Sequence, residues 1–168
     1  GSGDLSIDFI DGDNSAVDQV SLDAADYTTG EVYTIDNSAP SVVGITRNDA
    51  SPTAASSVTF NVEFSESVSP VATSDFSLDV SGVTANIASV ADTGDSTNFT
   101  VTIDTVAGDG TLSIDFIDGD NSALDGSGND AADYSAGQAY AVDNTAPSVA
   151  GITRNDANPT TAASVEFN

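Results

Sequence analysis

The chain is 168 residues long and carries 27 Asp and Glu against two cations, Arg47 and Arg154, for a formal charge of −25. Such a field repels phosphates and anionic headgroups, which excludes nucleic-acid binding and docking on acidic lipid. Cys, His and Lys are all absent, which excludes disulfides, thiol or imidazole ligation of a transition metal, and lysine–asparagine crosslinks.

Residues 6–16 recur unchanged at 113–123, an offset of 113 − 6 = 107 residues, and most of the stretch 39–50 returns at 146–157 with the same offset. A period that long exceeds the roughly 20–50 residues of a solenoid unit. It matches a small domain, about 100 residues being the usual size of a two-sheet sandwich.

In chain order, residues 1–37 read as the last two strands, F and G, of one repeat. A complete repeat is expected at 38–144. Its strand A is placed at about 41–48 and B at 57–65, where Val58, Phe60, Val62 and Phe64 alternate with Thr59, Asn61 and Glu63. Alternation of this kind marks a strand with one wet face. C is expected at 75–80 (Phe76, Leu78, Val80), D at 85–91 and E at 98–105 (Phe99, Val101, Ile103). F follows at 111–117 (Leu112, Ile114, Phe116) and G at 138–143. Ser81-Gly82, Asp92-Thr93-Gly94-Asp95 and Gly108-Asp109-Gly110 read as the turns after C, D and E.

Residues 145–168 then hold only strands A and B of a third repeat, and neither terminal fragment has the strands to bury a core alone. The chain has no starting Met or leader segment, and no apolar run nears the roughly 20 residues that cross a bilayer. We therefore expect an internal or processed piece of a longer protein, without membrane insertion. The expected fold is all-β: immunoglobulin-like β-sandwich repeats in tandem, about 107 residues per repeat.

The pattern resembles the bacterial immunoglobulin-like tandem repeats of large secreted and surface adhesins. The residues that carry the resemblance are Asp36-Asn37-Ser38-Ala39-Pro40, Asp143-Asn144-Thr145-Ala146-Pro147, Phe64-Ser65-Glu66-Ser67-Val68, Gly108-Asp109-Gly110-Thr111-Leu112 and Asp125-Gly126-Ser127-Gly128-Asn129. The resemblance implies an extracellular or cell-surface stalk stiffened by calcium at its domain junctions.

Strand counting decides which carboxylates can meet. If A leaves the N-terminal pole, the B–C, D–E and F–G loops lie at that pole, and the A–B, C–D and E–F loops lie beside the exit of G. A junction then gathers Asp4, Asp36 and Asn37 from one repeat with Glu66, Asp92, Asp95, Asp118, Asp120 and Asp125 from the next. Asp143 and Asn144 are the corresponding linker residues of the second junction. Hard oxygen donors contributed by several loops suit Ca2+, which takes 6–8 oxygens in flexible geometry, so these residues are the candidate calcium ligands. Asp, Asn and Gly also form ordinary turns, which is the competing reading of each residue taken singly. Asn129 is Leu22 in the earlier copy, whereas Asp118, Asp120, Asp125 and Asp133 are matched by Asp11, Asp13, Asp18 and Asp26. A site in that loop is therefore expected to use the aspartates. Arg47 is expected to pair with nearby aspartates.

Carboxylate-pair chemistry is the one catalytic option such a composition leaves, and it needs a single cleft rather than acids repeated in every unit; no enzymatic activity is expected. The expected function is structural: a repeat of a stalk or filament of a large bacterial surface protein. Its partners would be neighbouring repeats, like chains in a filament, or a host or biofilm surface. A carbohydrate- or cell-surface-binding module is the alternative, with Tyr27, Tyr33, Tyr134 and Tyr140 as the aromatic candidates, although Tyr33 and Tyr140 also fit strand G.

Overall fold

In the computed structural model, which describes residues 1–168, strands dominate and the one helical element is the single 3-10 turn Thr73–Asp75. β1 (Gly3–Ser6) and β2 (Val32–Ile35) form a separate antiparallel pair. β3 (Val42–Arg47), β4 (Val58–Phe64), β5 (Phe76–Asp92) and β6 (Asn98–Phe116) form a second sheet in the order β3-β4-β6-β5, and β7 (Tyr140–Val142) also pairs with β6. All these pairings are antiparallel.

The expected strands C and D are one continuous strand, β5, and E and F are likewise one, β6. Ser81-Gly82 and Gly108-Asp109-Gly110 are not chain reversals but facing irregularities in a single two-stranded ribbon. The register passes from Ser81↔Thr111 to Val83↔Gly108 across them. Such bulges bend a strand sharply without ending it. The bend needs glycine: Gly82 has φ +72° and Gly108 φ +100°, a region that side chains disfavour. A Cβ on Gly108 would also run into the Gly82 carbonyl oxygen, and one on Gly82 into that of Asp109.

Beyond the bend the ribbon changes neighbours. The first part of β6 pairs with β4 through Val58↔Ile103 to Glu63↔Asn98, whereas the later part pairs with β7 through Gly110↔Val142 to Leu112↔Tyr140. The two halves face each other across the core. Phe60 on β4 meets Tyr140 on β7 edge to face at 5.1 Å, and Phe64 meets Phe116 at 5.1 Å. Antiparallel strands layered in this way are compatible with a β-sandwich.

The alternating apolar residues of β4 and β6 fill that space. Val58, Phe60, Val62 and Phe64 point inward with Phe99, Val101, Ile103, Leu112, Ile114 and Phe116. The 20 buried residues of the core run from Val42 to Val142. Pairing also recurs at the offset seen in the sequence: Gly3↔Ile35 and Leu5↔Tyr33 match Gly110↔Val142 and Leu112↔Tyr140, and Phe9↔Tyr27 matches Phe116↔Tyr134.

Gly108→Ala should destabilise the fold by about 1–3 kcal/mol, the usual cost of holding a non-glycine residue in a strained region, read as a lowered midpoint in urea. An unchanged midpoint would mean that the ribbon bends without needing glycine there.

Candidate metal centre

Three loops gather at one end of the molecule. In the loop that follows β4, the Val68 N–H donates to the Ser96 carbonyl in the β5–β6 turn (2.9 Å), and the Ser69 N–H donates to Leu124 in the loop after β6 (2.9 Å). The linker enters the same end. Asn129 Nδ2 donates to the Asp36 carbonyl (3.1 Å), and the Ala132 N–H donates to the Pro40 carbonyl (3.2 Å).

This convergence brings Asp36 from the linker, Glu66 from the loop after β4 and Asp125 from the loop after β6 together, with one carboxylate oxygen of each within 4.8 Å of the others. All three are half-buried. The local folding of each loop aims its acid. Asp125 Oδ1 accepts the N–H groups of Ser127 and Asn129 (2.8 Å each), while Oδ2 accepts the Asn129 side-chain amide (2.8 Å). Asp36 Oδ1 accepts the Ser38 N–H (2.9 Å) and the Ser2 hydroxyl (3.0 Å). Asn129 thus links both acids, although the comparison of copies pointed away from it.

A second group joins Asp118 and Asp120 to Asp75, again with donor oxygens within 4.8 Å. Asp75 and Asp118 are buried. Asp75 Oδ2 accepts the Ala72 N–H (2.7 Å), closing the 3-10 turn ahead of β5. Asp118 accepts the N–H groups of Ser122 (3.1 Å) and Ala123 (2.7 Å). Sequence reasoning missed Asp75. Its position directly before the alternating Phe76-Ser77-Leu78 was the available signal, but its burial depends on the distant segment at Ile117, whose N–H donates to the Asp75 carbonyl (2.7 Å).

Both groups contain only hard oxygen donors, the chemistry of Ca2+ rather than of zinc or copper. Three acids held this close repel one another unless a cation sits among them. Asp36, Glu66 and Asp125 could hold such an ion at the linker, and Asp75, Asp118 and Asp120 could hold another.

The remaining candidates are placed differently. Asp92 and Asp95 lie in the β5–β6 turn at the same end, outside both groups, and serve that turn. Asp92 Oδ1 accepts the N–H groups of Gly94 (2.8 Å) and Ser96 (3.0 Å), and Asp95 Oδ1 those of Thr97 (3.0 Å) and Asn98 (2.9 Å). Asp143 Oδ1 accepts the Thr145 N–H (3.0 Å), and Asn144 donates to Asp109 (2.6 Å) and to the Gly108 carbonyl (2.7 Å). Asn37 likewise donates to Ser2 (3.0 Å) and to the Gly1 carbonyl (3.2 Å). Each linker therefore anchors itself on the corner of the strand pair it leaves. Asp4 accepts the Thr34 hydroxyl across β1 and β2 (3.1 Å). Arg47 stacks over Tyr140 rather than pairing with an aspartate, its guanidinium carbon 5.7 Å from the ring centroid.

These turns set the electrostatics. The backbone N–H of Thr97 and the Asn98 amide pull the Asp95 carboxyl down to about 2. The N–H groups of Gly94 and Ser96 lower Asp92, the Asn129 amide lowers Asp125, the Ser38 N–H lowers Asp36, and the Thr145 hydroxyl lowers Asp109. A carboxylate lowered on folding contributes stability above its unfolded pKa, and that stability is lost as pH falls through the folded value. The melting temperature should therefore hold above about pH 4 and drop toward about pH 2, and Asp95→Asn should lower it at neutral pH while flattening the acid limb. A melting temperature that rises through that window would contradict the assignment.

Comparison with known protein families, with curated proteins and with solved structures found no match, so the chemistry of the residues alone bears on function.

Proposed function

We propose that the chain is a stretch of tandem immunoglobulin-like repeats from the extracellular stalk of a large bacterial surface protein, with Ca2+ holding successive repeats at their linkers. Residues 38–144 are one repeat; 1–37 and 145–168 belong to its neighbours. The observation that carries this reading is the meeting of Asp36, Glu66 and Asp125, because the acids come from a linker and from two loops of the unit beyond it. A cation there ties a linker to the domain that follows, which is what stiffens a string of domains joined by short connections. The pairing register repeated between β1–β2 and β6–β7 supports a tandem arrangement, and the formal charge of −25 supports an extended chain that resists collapse.

Calorimetry should show calcium binding with a Kd of roughly 10⁻⁴–10⁻³ M, the range of extracellular modules, together with a rise in melting temperature reversed by chelation. Asp36→Asn or Glu66→Gln should weaken that binding about tenfold or more, as loss of a charged ligand does. No heat of binding and no chelator effect would sink the calcium reading.

A further inference from the structure

We propose that two copies of this chain pair side by side through the outer edge of β5, strand against strand and antiparallel. β5 (Phe76–Asp92) closes the sheet order β3-β4-β6-β5 and pairs with β6 alone. No backbone hydrogen bond joins it to any other segment, so its outward N–H and C=O groups stand open. The strand lies within the unit that has its full core, well away from either terminus.

The other edges of that unit are covered. Along β3 the Gln138 N–H donates to the Ile45 carbonyl (3.0 Å) and the Arg47 N–H donates to Gln138 Oε1 (3.1 Å). Along β7 the Thr53 N–H donates to the Ala141 carbonyl and the Asp143 N–H donates to the Thr53 carbonyl (2.9 Å each), while the Ala141 N–H donates to the Ser51 hydroxyl (2.8 Å). These loops close one side between the layers and leave β5 as the open side.

An exposed edge is a template for another strand, and proteins usually protect it with charge, proline or a covering segment. Val80 to Ala91 contains no Asp, Glu, Lys, Arg or Pro, in a chain where 17% of residues are charged. Beyond the bend at Gly82, the run Val83–Ala91 spans about 30 Å at roughly 3.3 Å per residue. Of the register irregularities along it, the one between Thr84 and Asn86 puts its extra residue on β6, and only Ala88 is extra on β5 itself. Such a bulge adds twist without ending the strand.

Charge selects the occupant. A cationic partner is steered to the acidic loops rather than to this neutral edge. Two copies of charge −25 repel wherever carboxylates face each other, and here the exposed side chains Thr84, Asn86, Ala88, Ser89 and Ala91 are small and neutral. A second β5 running antiparallel offers a matching row of donors and acceptors. A twofold axis near Asn86 sets Thr84 of one copy against Ala88 of the other, and Asp92 against Val80 rather than against Asp79. The contact is isologous. Each copy has one such edge, so the assembly closes at a dimer.

The test is sedimentation of the whole chain in buffered salt, which screens the like charge of the copies. Wild type should pass from one chain mass to two as concentration rises, and stop there. The double variants Thr84→Glu with Ala88→Glu and Thr84→Lys with Ala88→Lys should each stay monomeric, since like charges then face across the axis. An equimolar mixture of the two should regain the dimer. Both positions are exposed, so both variants should melt like wild type. A wild type that stays monomeric at every concentration, or variants that associate as wild type does, would overturn the proposal. The substitutions leave Asp36, Glu66 and Asp125 intact, so a monomeric chain that still binds calcium counts against this contact alone. A dimer that binds no calcium counts against the metal reading alone.

Discussion

The structure depends on the bend in the β5–β6 ribbon. A two-stranded ribbon long enough to serve both layers must turn a corner between them, and the positive φ values and close backbone approach at this corner favour residues without a side chain. Gly82, Gly108 and Gly110 meet this need where the strands cross. The corner has two further consequences. It sends the β5–β6 turn to the end where the linker enters, and it presents Asp109 at the opposite end, where Asp109 accepts the Thr145 hydroxyl and the Asn144 N–H of the outgoing linker.

A chain with this much negative charge must find uses for its carboxylates, since unpaired acids oppose compaction. The loops show how. Asp118 and Asp125 each fold the segment that follows them by accepting its N–H groups, and Asp11 and Asp18 do the same in the earlier copy, Asp11 accepting from Ser15 (2.9 Å) and Ala16 (2.8 Å). A carboxylate that accepts backbone N–H groups is stabilised in its charged form. The acids thus act as loop scaffolding, and the meeting at the linker follows from where the scaffolded loops end.

Much of this was legible in the sequence. The alternation of Val58 to Phe64 and of Phe99 to Ile103 marked strands and their inward faces, because period-two burial is a local property. Counting reversals also placed Asp36, Glu66 and Asp125 at one end. The fusion of C with D and of E with F was not legible, because a glycine pair that bends a ribbon reads like one that reverses a chain. Nor was the division of labour among the acids. Asp92 and Asp95 look like ligands in sequence, yet their N–H partners lie within their own turn, whereas Asp75 looks like an ordinary loop acid and is buried by a segment about 40 residues away, beyond the reach of local pattern. Arg47 was expected among aspartates; the burial of Tyr140 beneath it makes the ring its neighbour instead.

The central claim is that a cation at Asp36, Glu66 and Asp125 fixes a linker to the unit it enters. Small-angle scattering of the chain with and without calcium tests it most directly. The account predicts a longer, sharply bounded maximum dimension with calcium and a broader, shorter distribution after chelation, with Asp36→Asn behaving like the chelated chain in both conditions. A maximum dimension that does not respond to calcium would contradict it.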